Sequence, residues 1–145
     1  SPALNAVIGQ RLVRKICPQC KVTYYLEEAE INELGKIADM QKMIRRFQQQ
    51  KIVLGAAEKN FKTMEFFWGS GCARCGGTGY RGRVGIYEVL EVDSALAKKI
   101  NEGANATDIK NYAIERDMVT LLEDGLMKAK LGITTIEEVL RATRD

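Results

Sequence analysis

Two Cys-x-x-Cys pairs are the part of this sequence with the clearest chemical potential. They contain all four cysteines of the chain, which are Cys17, Cys20, Cys72 and Cys75. Two residues between the thiols let both sulfurs reach one metal ion from a tight turn. Two such turns supply the four thiolates of a tetrahedral zinc site. A four-cysteine set leaves no open position for water or substrate, so the pattern predicts a structural and not a catalytic zinc ion.

The charges near the cysteines are consistent with such a centre. Four thiolates around one zinc ion carry a local charge of −2, and the whole chain has a formal charge of +3. The basic residues close to the pairs in sequence would offset that negative charge, and they are Arg14, Lys15, Lys21, Arg74, Arg81 and Arg83. Because electrostatics alone explains them, they are weak evidence for nucleic-acid binding.

Other chemistry is scarce in the sequence. Histidine is absent, which removes Ser-His and Cys-His catalysis and mixed Cys/His zinc sites. The single Gly-Lys step, Gly35-Lys36, is followed by Ile37 and lacks the upstream glycine of a phosphate loop. We therefore predict no catalytic residue, no cofactor-binding residue and no nucleotide site in this chain.

The composition is that of one globular domain, or of one domain with a small appendage. A chain of 145 residues buries roughly two-thirds of its unfolded surface. No apolar run in the sequence approaches the roughly 18 residues that span a bilayer, and the N-terminus lacks a signal-peptide pattern. These features predict a cytoplasmic protein, in which reduced thiols bind metal instead of forming disulfides.

Strands and one helix are predicted around the cysteines. Apolar residues near helical spacing predict a helix over residues 4–16. β-branched and aromatic residues predict strands over 21–26 and 64–68, lying side by side in a zinc ribbon, and a further strand over 84–92. We expect Phe66, Phe67 and Trp68 to pack in the core, since a small zinc module needs apolar cover. The glycines after the second pair are expected to permit positive φ and to aim amides at the sulfurs.

A basic segment lies between the two cysteine pairs. A short helix is predicted over 27–34 and a longer one over 36–51, with an apolar stripe at Ile37, Met40, Ile44 and Phe47. Residues 36–62 include seven Lys or Arg and two Asp or Glu. Such a stretch can bind acidic lipid or a partner. A single narrow stripe is more typical of a surface helix, which is the interpretation we favour.

Helices are predicted from residue 93 onward. Asp93 or Ser94 can cap a helix that ends near residue 101, and Thr107 can cap the next. Capping boxes at 120–123 and 134–137 predict two more helix starts. The predicted fold class is α+β and mostly helical, with a small four-cysteine zinc ribbon of short β-strands followed by a C-terminal helical subdomain. The predicted domains are a zinc-binding module at 1–92, with an inserted basic helical segment at about 31–62, and the helical subdomain at 93–145.

Four stretches of the chain together resemble one known family. They are residues 9–20 (GQRLVRKICPQC), 71–88 (GCARCGGTGYRGRVGIYE), 117–125 (DMVTLLEDG) and 132–141 (GITTIEEVLR). In this order they are similar to the hexameric ATPases that drive type II secretion and type IV pilus assembly, the PilB/GspE-like family. The resemblance covers about residues 4–25 and 66–145, and its second stretch is highly specific.

The resemblance implies a non-catalytic, zinc-binding C-terminal fragment of a larger motor. In that family the phosphate loop and the other nucleotide-binding boxes precede the first cysteine pair, so ATP and Mg²⁺ are expected only in a motor domain outside this chain. Only the four cysteines match functional positions. The resemblance implies contacts with that motor domain, with neighbouring subunits of a hexamer and with a platform protein, on the cytoplasmic face of the inner membrane. No nucleic acid and no transmembrane segment are expected.

Residues 31–62 depart from the family pattern. The 51 residues between Cys20 and Cys72 are long for the family, so the basic segment looks like an insertion. Three partners are open for this segment: the platform protein, a neighbouring subunit and lipid.

Three other classes of protein remain open from the residues alone. Residues 72–79 fit the Cys-x-x-Cys-x-Gly-x-Gly repeat of DnaJ-like peptide-binding modules, but no glycines follow Cys20. Arginines near the second pair would suit a nucleic-acid-binding zinc ribbon, although the net charge is modest. A thiol–disulfide oxidoreductase needs one pair at a helix start within a βαβ unit, which two pairs in ribbon-like surroundings do not provide.

Overall fold

The chain folds into an α+β structure. The computed structural model describes residues 3–52 and 58–144, and within them it has four β-strands and six α-helices. The strands are β1 (Ala6–Ile16), β2 (Lys21–Tyr25), β3 (Glu65–Gly69) and β4 (Tyr80–Glu91). The helices are α1 (Glu28–Gly35), α2 (Met40–Gln49), α3 (Ser94–Asn101), α4 (Ala106–Glu115), α5 (Leu121–Lys130) and α6 (Ile136–Thr143). The predicted α+β class is confirmed, whereas the zinc ribbon stays a prediction.

The first element is a strand, and the helix predicted over residues 4–16 is wrong. β1 pairs with β4 in an antiparallel ribbon along most of its length. Its apolar residues come in adjacent couples, Val7-Ile8 and Leu12-Val13. Such couples imitate helical spacing, but in a strand they place one apolar side chain on each face. This segment forms a strand because it contains β-branched residues and because it pairs with β4, which is remote in sequence. The strand predicted over 84–92 is confirmed, although β4 begins earlier.

The two shorter strands pair as predicted. β2 and β3 are antiparallel, with Tyr24 opposite Phe66 and Val22 opposite Trp68. Phe66 is fully buried and Phe67, on the other face, is half-buried, but Trp68 is 48% exposed, so its predicted place in the core is wrong. The two cross-strand couples share one face of the ribbon. The main core covers only the end of that face where Tyr24 and Phe66 lie.

The segment between the cysteine pairs is packed into the main core. α2 is shorter than the predicted helix because Asp39 caps it through a side-chain hydrogen bond, which leaves Ile37 exposed before the cap. Met43 and Phe47 are buried, together with the charged Arg46. α2 therefore packs by one side, and that side includes Met40, Ile44 and Phe47 of the predicted stripe but not Ile37. Residues 53–57 of the predicted insertion lie outside the described residues.

Two of the predicted helix starts in the C-terminal part are confirmed. The Asp93 carboxylate accepts a hydrogen bond from the amide of Leu96 at 2.7 Å and caps α3. Thr120 and Glu123 form the predicted capping box of α5, in which each side chain accepts from the other residue's amide. A capping side chain satisfies amides that the helix itself leaves without a partner, so these residues determine where α3 and α5 begin.

Two other helix starts differ from the prediction by one or two residues. α4 is capped by Asn105 and not by Thr107, because the Asn105 side chain accepts the capping hydrogen bond. α6 is capped by Thr135 instead of Thr134. The Thr134 hydroxyl donates to the carbonyl oxygen of Arg14 at 2.7 Å, so it holds the start of α6 against β1 instead of capping the helix.

The main hydrophobic core joins the middle of the chain to its C-terminal part. It contains buried side chains of α2, β3, α5 and α6, among them Phe47, Phe66, Leu126 and Val139. α5 also contacts β4, and α6 contacts β1. The C-terminal helices thus share a core with residues that precede position 93. Within the described residues, no helix is both long enough and apolar enough to cross a membrane.

Candidate metal centre

Both Cys-x-x-Cys pairs lie at turns where the chain passes from one strand pair to the other. Cys17 and Cys20 are in the turn between β1 and β2, and the second pair is at the 3-10 turn Ala73–Cys75 between β3 and β4. Because β1 pairs with β4 and β2 pairs with β3, the two turns meet at one place. A backbone hydrogen bond of 2.9 Å from the Cys17 amide to the Gly79 carbonyl oxygen holds this junction together.

The four sulfurs form one tight cluster. All four Sγ atoms lie within 4.8 Å of one another. The Sγ–Sγ distance is 3.8 Å for Cys17 and Cys72, 3.9 Å for Cys20 and Cys75, and 3.7 Å for Cys72 and Cys75. Four sulfurs at about 2.3 Å from one zinc ion in a tetrahedron lie about 3.8 Å apart, whereas the sulfurs of a disulfide are about 2 Å apart. The donor set and its spacing therefore fit one zinc ion.

Backbone amides point at two of the sulfurs. The Gly71 amide donates to Cys20 Sγ at 3.3 Å, and the amides of Cys72 and Gly79 donate to Cys75 Sγ at 3.3 and 3.2 Å. Gly79 has a φ of +78°, and a Cβ there would lie 2.3 Å from a carbonyl oxygen of β3, so no other residue suits this position. Amide donors stabilise the thiolate, which is the form of cysteine that binds metal.

The thiols influence one another's ionisation. Burial raises the pKa of Cys75, but hydrogen bonds from the amides of Cys72 and Gly79 outweigh burial and lower that pKa to about 6. Burial raises the pKa of Cys20 to about 11, and its hydrogen bonds with the other thiols act in the same direction. One thiolate therefore forms easily, while a neighbouring thiol resists a further negative charge. A bound dication would offset this repulsion, which again fits a metal ion.

Basic side chains line an open cleft beside the sulfurs. The cleft has a volume of about 640 Å³, and Lys15, Arg74 and Arg81 contribute to its walls. Two other basic residues that were expected to offset the charge of the centre are engaged elsewhere. Arg14 pairs with a carboxylate of α6 at 2.8 Å, and the Lys21 ammonium lies over an aromatic ring at 5.8 Å. Neutralisation of the centre by the three residues of the cleft stays a prediction.

A buried carboxylate that sequence reasoning missed anchors the region next to the cysteines. Glu138 of α6 is 1% exposed and accepts hydrogen bonds from Arg14 and Arg141, both at 2.8 Å. The Arg14 guanidinium also lies 4.0 Å from the centre of the Tyr80 ring, at the start of β4. Arg14 and Glu138 are 124 residues apart, so no local pattern in the sequence could have paired them.

Comparison with known proteins identifies the family of this chain. It matches the profile of the type II/IV secretion system protein family over residues 1–141. It is 42% identical over 143 residues to the type IV pilus assembly ATPase PilB of Thermus thermophilus. It is 34% identical over 145 residues to the type II secretion system ATPase E of Vibrio cholerae, and 34% identical over 143 residues to PilB of Pseudomonas aeruginosa.

These relatives are much longer than the chain. The three alignments cover 99%, 100% and 99% of this chain, but only 14%, 24% and 22% of the respective relatives. The chain belongs to the type II/IV secretion system protein family. Its relatives are PilB and the type II secretion ATPase E, which confirms the PilB/GspE-like resemblance of its motifs.

Proposed function

We propose that the chain is the non-catalytic, zinc-binding C-terminal part of a hexameric ATPase that powers type IV pilus assembly or type II protein secretion. The observation that carries this proposal is the cluster of four sulfurs, whose measured separations of 3.7, 3.8 and 3.9 Å suit one tetrahedral ion. Membership of the type II/IV secretion system protein family supports the assignment of the chain to such an ATPase. The proposed ligands are Cys17, Cys20, Cys72 and Cys75.

The proposed ion joins two remote parts of the chain. Cys17 and Cys72 are 55 residues apart in sequence, and each lies at a turn that connects the two ribbons. Four thiolates fill every coordination position, so the ion stabilises this junction and takes no part in a reaction. A structural zinc site of this kind contributes on the order of 10 kcal/mol to folding.

The chemistry of the parent ATPase lies, in this proposal, outside the chain. ATP and Mg²⁺ bind to a motor domain elsewhere in the parent, since the sequence has no phosphate loop. The chain contacts that motor domain and neighbouring subunits of the hexamer. A platform protein of the inner membrane is a further partner, on the cytoplasmic face of that membrane. Nucleic acid is not among the proposed partners.

The proposed organisation has two parts. Residues 1–92 form the zinc-binding part, with the basic segment inserted at about 31–62, and residues 93–145 form the helical part. In the inserted segment, α2 turns Phe47 into the core and leaves Arg45 exposed. The exposed basic side of this segment is the surface that we assign to the platform protein, a neighbouring subunit or lipid.

Metal analysis of the purified chain tests the zinc site. We expect one zinc ion per molecule, and we expect Cys72→Ser to lose it because three thiolates leave the tetrahedral set incomplete. Arg74→Ala is the matched control, since Arg74 lies in the same 3-10 turn and supplies no sulfur. Equal zinc content in the wild type and in Cys72→Ser, or none in either, contradicts the proposed site.

Nucleotide hydrolysis tests the assignment to a larger motor. The full-length parent should hydrolyse ATP in the presence of Mg²⁺, and the 145-residue chain alone should not. Hydrolysis by the chain alone contradicts its non-catalytic role. Protection of an unfolded client protein from aggregation would favour the DnaJ-like alternative, and salt-sensitive binding of DNA or RNA would favour the nucleic-acid alternative. Neither alternative has support in the comparisons.

A further inference from the structure

A cleft with a volume of about 710 Å³ lies beside the last part of β4. We call it the β4 cleft. Its walls include Val89 and Glu91 of β4 together with residues of α4 and α5, and the side chains of Ile52 and Met127, both 9% exposed, give it an apolar part. The volume is typical of ligand pockets, and the mixture of apolar walls with a few polar groups is typical as well.

One wall of the β4 cleft is the edge of β4 that faces away from β1. Amide and carbonyl groups of alternate residues in a strand point to opposite edges. The Tyr87 amide donates to the Asp124 carboxylate of α5 at 2.8 Å, so the groups of Tyr87 point away from β1. Those of Val89 and Glu91 therefore point the same way. The Val92 amide points in the opposite direction, since it donates at 2.9 Å to the carbonyl oxygen of Asn5 next to β1.

The last part of this edge has no strand beside it. The carbonyl oxygen of Tyr87, the amide and carbonyl oxygen of Val89 and the amide of Glu91 form no hydrogen bond with any of residues 3–52 and 58–144. Unpaired groups in a row at a strand edge can accept a further strand, and addition of an extended peptide to such an edge is a recurring mode of recognition. These groups span five positions of β4, so a peptide of about five residues would pair with all of them.

The β4 cleft also has an acidic rim with one unpaired carboxylate. Glu91 is exposed and forms no ion pair with any residue in the described part of the chain. A basic side chain of a bound peptide could pair with it, whereas an acidic one would be repelled. The other three carboxylates of the cleft already have cationic partners, which are Arg116 for Asp93 at 3.1 Å, Lys128 for Asp124 at 2.7 Å and Arg46 for Asp117 at 3.1 Å.

We propose that the β4 cleft binds an extended segment of a partner protein, which pairs as a strand with residues 87–91 and carries a lysine or arginine that reaches Glu91. Alternate side chains of a strand point to opposite faces, so apolar residues of the segment can face Ile52 and Met127. The free edge supplies the hydrogen bonds, and the charge of Glu91 selects a basic segment. This proposal rests neither on the zinc ion nor on the parent ATPase.

Selection from a displayed library of random nine-residue peptides tests the site. The 145-residue chain should enrich peptides in which apolar residues alternate with at least one lysine or arginine. Val89→Pro serves for counter-selection, because it removes an amide of the free edge without breaking a hydrogen bond of the fold. Failure to select any peptide that prefers the wild type to Val89→Pro overturns the proposal.

Amide hydrogen exchange at saturation with a selected peptide locates its binding site. The amides of Val89 and Glu91 should slow by about tenfold or more, because a new hydrogen bond must open before exchange. The Tyr87 amide, which already donates to Asp124, should change little. Unchanged exchange at Val89 and Glu91 overturns the proposal. Protection of these two amides that grows with protein concentration in the absence of peptide would assign the edge to a second copy, and it would also overturn the proposal.

Reversal of charge at the rim tests the selection of a basic segment. Glu91→Lys should weaken binding of a selected lysine-containing peptide by about fivefold, since an attraction is replaced by a repulsion. Glu115→Lys is the matched control, because Glu115 is an exposed residue of α4 that does not line the cleft. Both variants should keep the melting temperature of the wild type. Equal weakening by the two substitutions would mean that only net charge matters, which overturns the role of Glu91 in the proposal.

Discussion

The thiol cluster and the main core hold remote parts of the chain together by different means. At the cluster, four sulfurs join segments 55 residues apart, and they repel one another once ionised. In the core, Arg46 and Glu123 join segments 77 residues apart through a 2.9 Å hydrogen bond between buried opposite charges. No buried side-chain nitrogen or oxygen in the described part of the chain lacks a hydrogen-bond partner. The core is therefore complete in itself, whereas the proposed zinc ion would be needed to offset the negative charge of the ionised cluster.

Removal of the metal should produce the largest difference in stability between the thiol cluster and the main core. With zinc chelated, β2 and β3 should lose their amide protection, because the junction at their common end loses on the order of 10 kcal/mol of stabilisation. The amides of α5 should stay partly protected, since the core in which α5 packs on α6 and α2 contains no cysteine. Hydrogen exchange with and without a chelator measures both regions in one experiment.

Restoration of zinc is the control for this experiment. Protection of β2 and β3 should return when zinc is added in excess over the chelator. Uniform loss of protection across β2, β3 and α5 would mean that the core and the cluster fold as one unit. That result would contradict the view that the two regions are stabilised by different means. Unchanged protection everywhere would mean that the sulfurs need no ion.

The buried ion pair between Arg46 and Glu123 offers a test of what stabilises the main core. Arg46→Met should destabilise the chain by about 3–5 kcal/mol, because it leaves the Glu123 carboxylate buried without its partner. Arg46 also donates to the carbonyl oxygens of Asp117 and Met118, both at 3.3 Å, so more than one acceptor is lost. Urea unfolding measures the effect, and zinc content should stay the same.

Arg45→Met is the matched control for Arg46→Met. Arg45 is the neighbouring residue in α2, is exposed, and forms no ion pair with any residue in the described part of the chain. Its replacement should change the free energy of unfolding by less than about 0.5 kcal/mol. An equal loss of stability in both variants would show that the pair with Glu123 contributes little.

The carboxylate of Glu138 provides a pH-dependent test between the two regions. Burial raises its pKa, but hydrogen bonds from Arg141 and Arg14 outweigh burial and lower the pKa from its usual 4.5 to about 2. A carboxyl whose pKa is lower in the folded state contributes stability that is complete above the unfolded pKa and disappears as the pH falls through the folded one. This contribution, about 3 kcal/mol, should therefore be lost between about pH 4.5 and pH 2.

The measurement is a series of urea unfolding curves from pH 6 to pH 2. Glu138→Gln should be less stable than the wild type at pH 6, and the difference should shrink as the pH falls through this window. Glu137→Gln is the control, since Glu137 is its exposed neighbour, and it should follow the wild type. A constant difference between Glu138→Gln and the wild type at every pH would argue against a lowered pKa.

Local sequence patterns predicted well what local physics determines. The Cys-x-x-Cys spacing predicted which sulfurs meet, and the β-branched and aromatic runs predicted the pairing of β2 with β3. The helix over 4–16 was wrong because the partner of β1 is about 75 residues away, and only that pairing decides between helix and strand. Trp68 was misplaced because strand alternation assigns a face but does not say how far the core extends along it.

The candidate site shows the same limit. The four cysteines were predictable because each pair is contiguous and its spacing is a chelating one. The surroundings of the site were not, since Glu138 reaches Arg14 across 124 residues. Glu138 can be buried because its carboxylate pairs with both Arg14 and Arg141. The residue pattern of α6 alone does not predict this contact with β1.

The smallest expected effect is the loss of a helix cap. Thr120 caps α5, whereas Thr107 was predicted to cap α4 but does not. Thr120→Ala should cost about 1 kcal/mol, because its hydroxyl accepts the hydrogen bond from the Glu123 amide at 3.2 Å and caps α5. Thr107→Ala should be neutral or slightly stabilising, since Asn105 caps α4 and alanine is the better residue inside a helix. Thermal unfolding of the two variants measures the difference. If both substitutions cost the same, the start of α5 is held by its packing in the core and not by its cap.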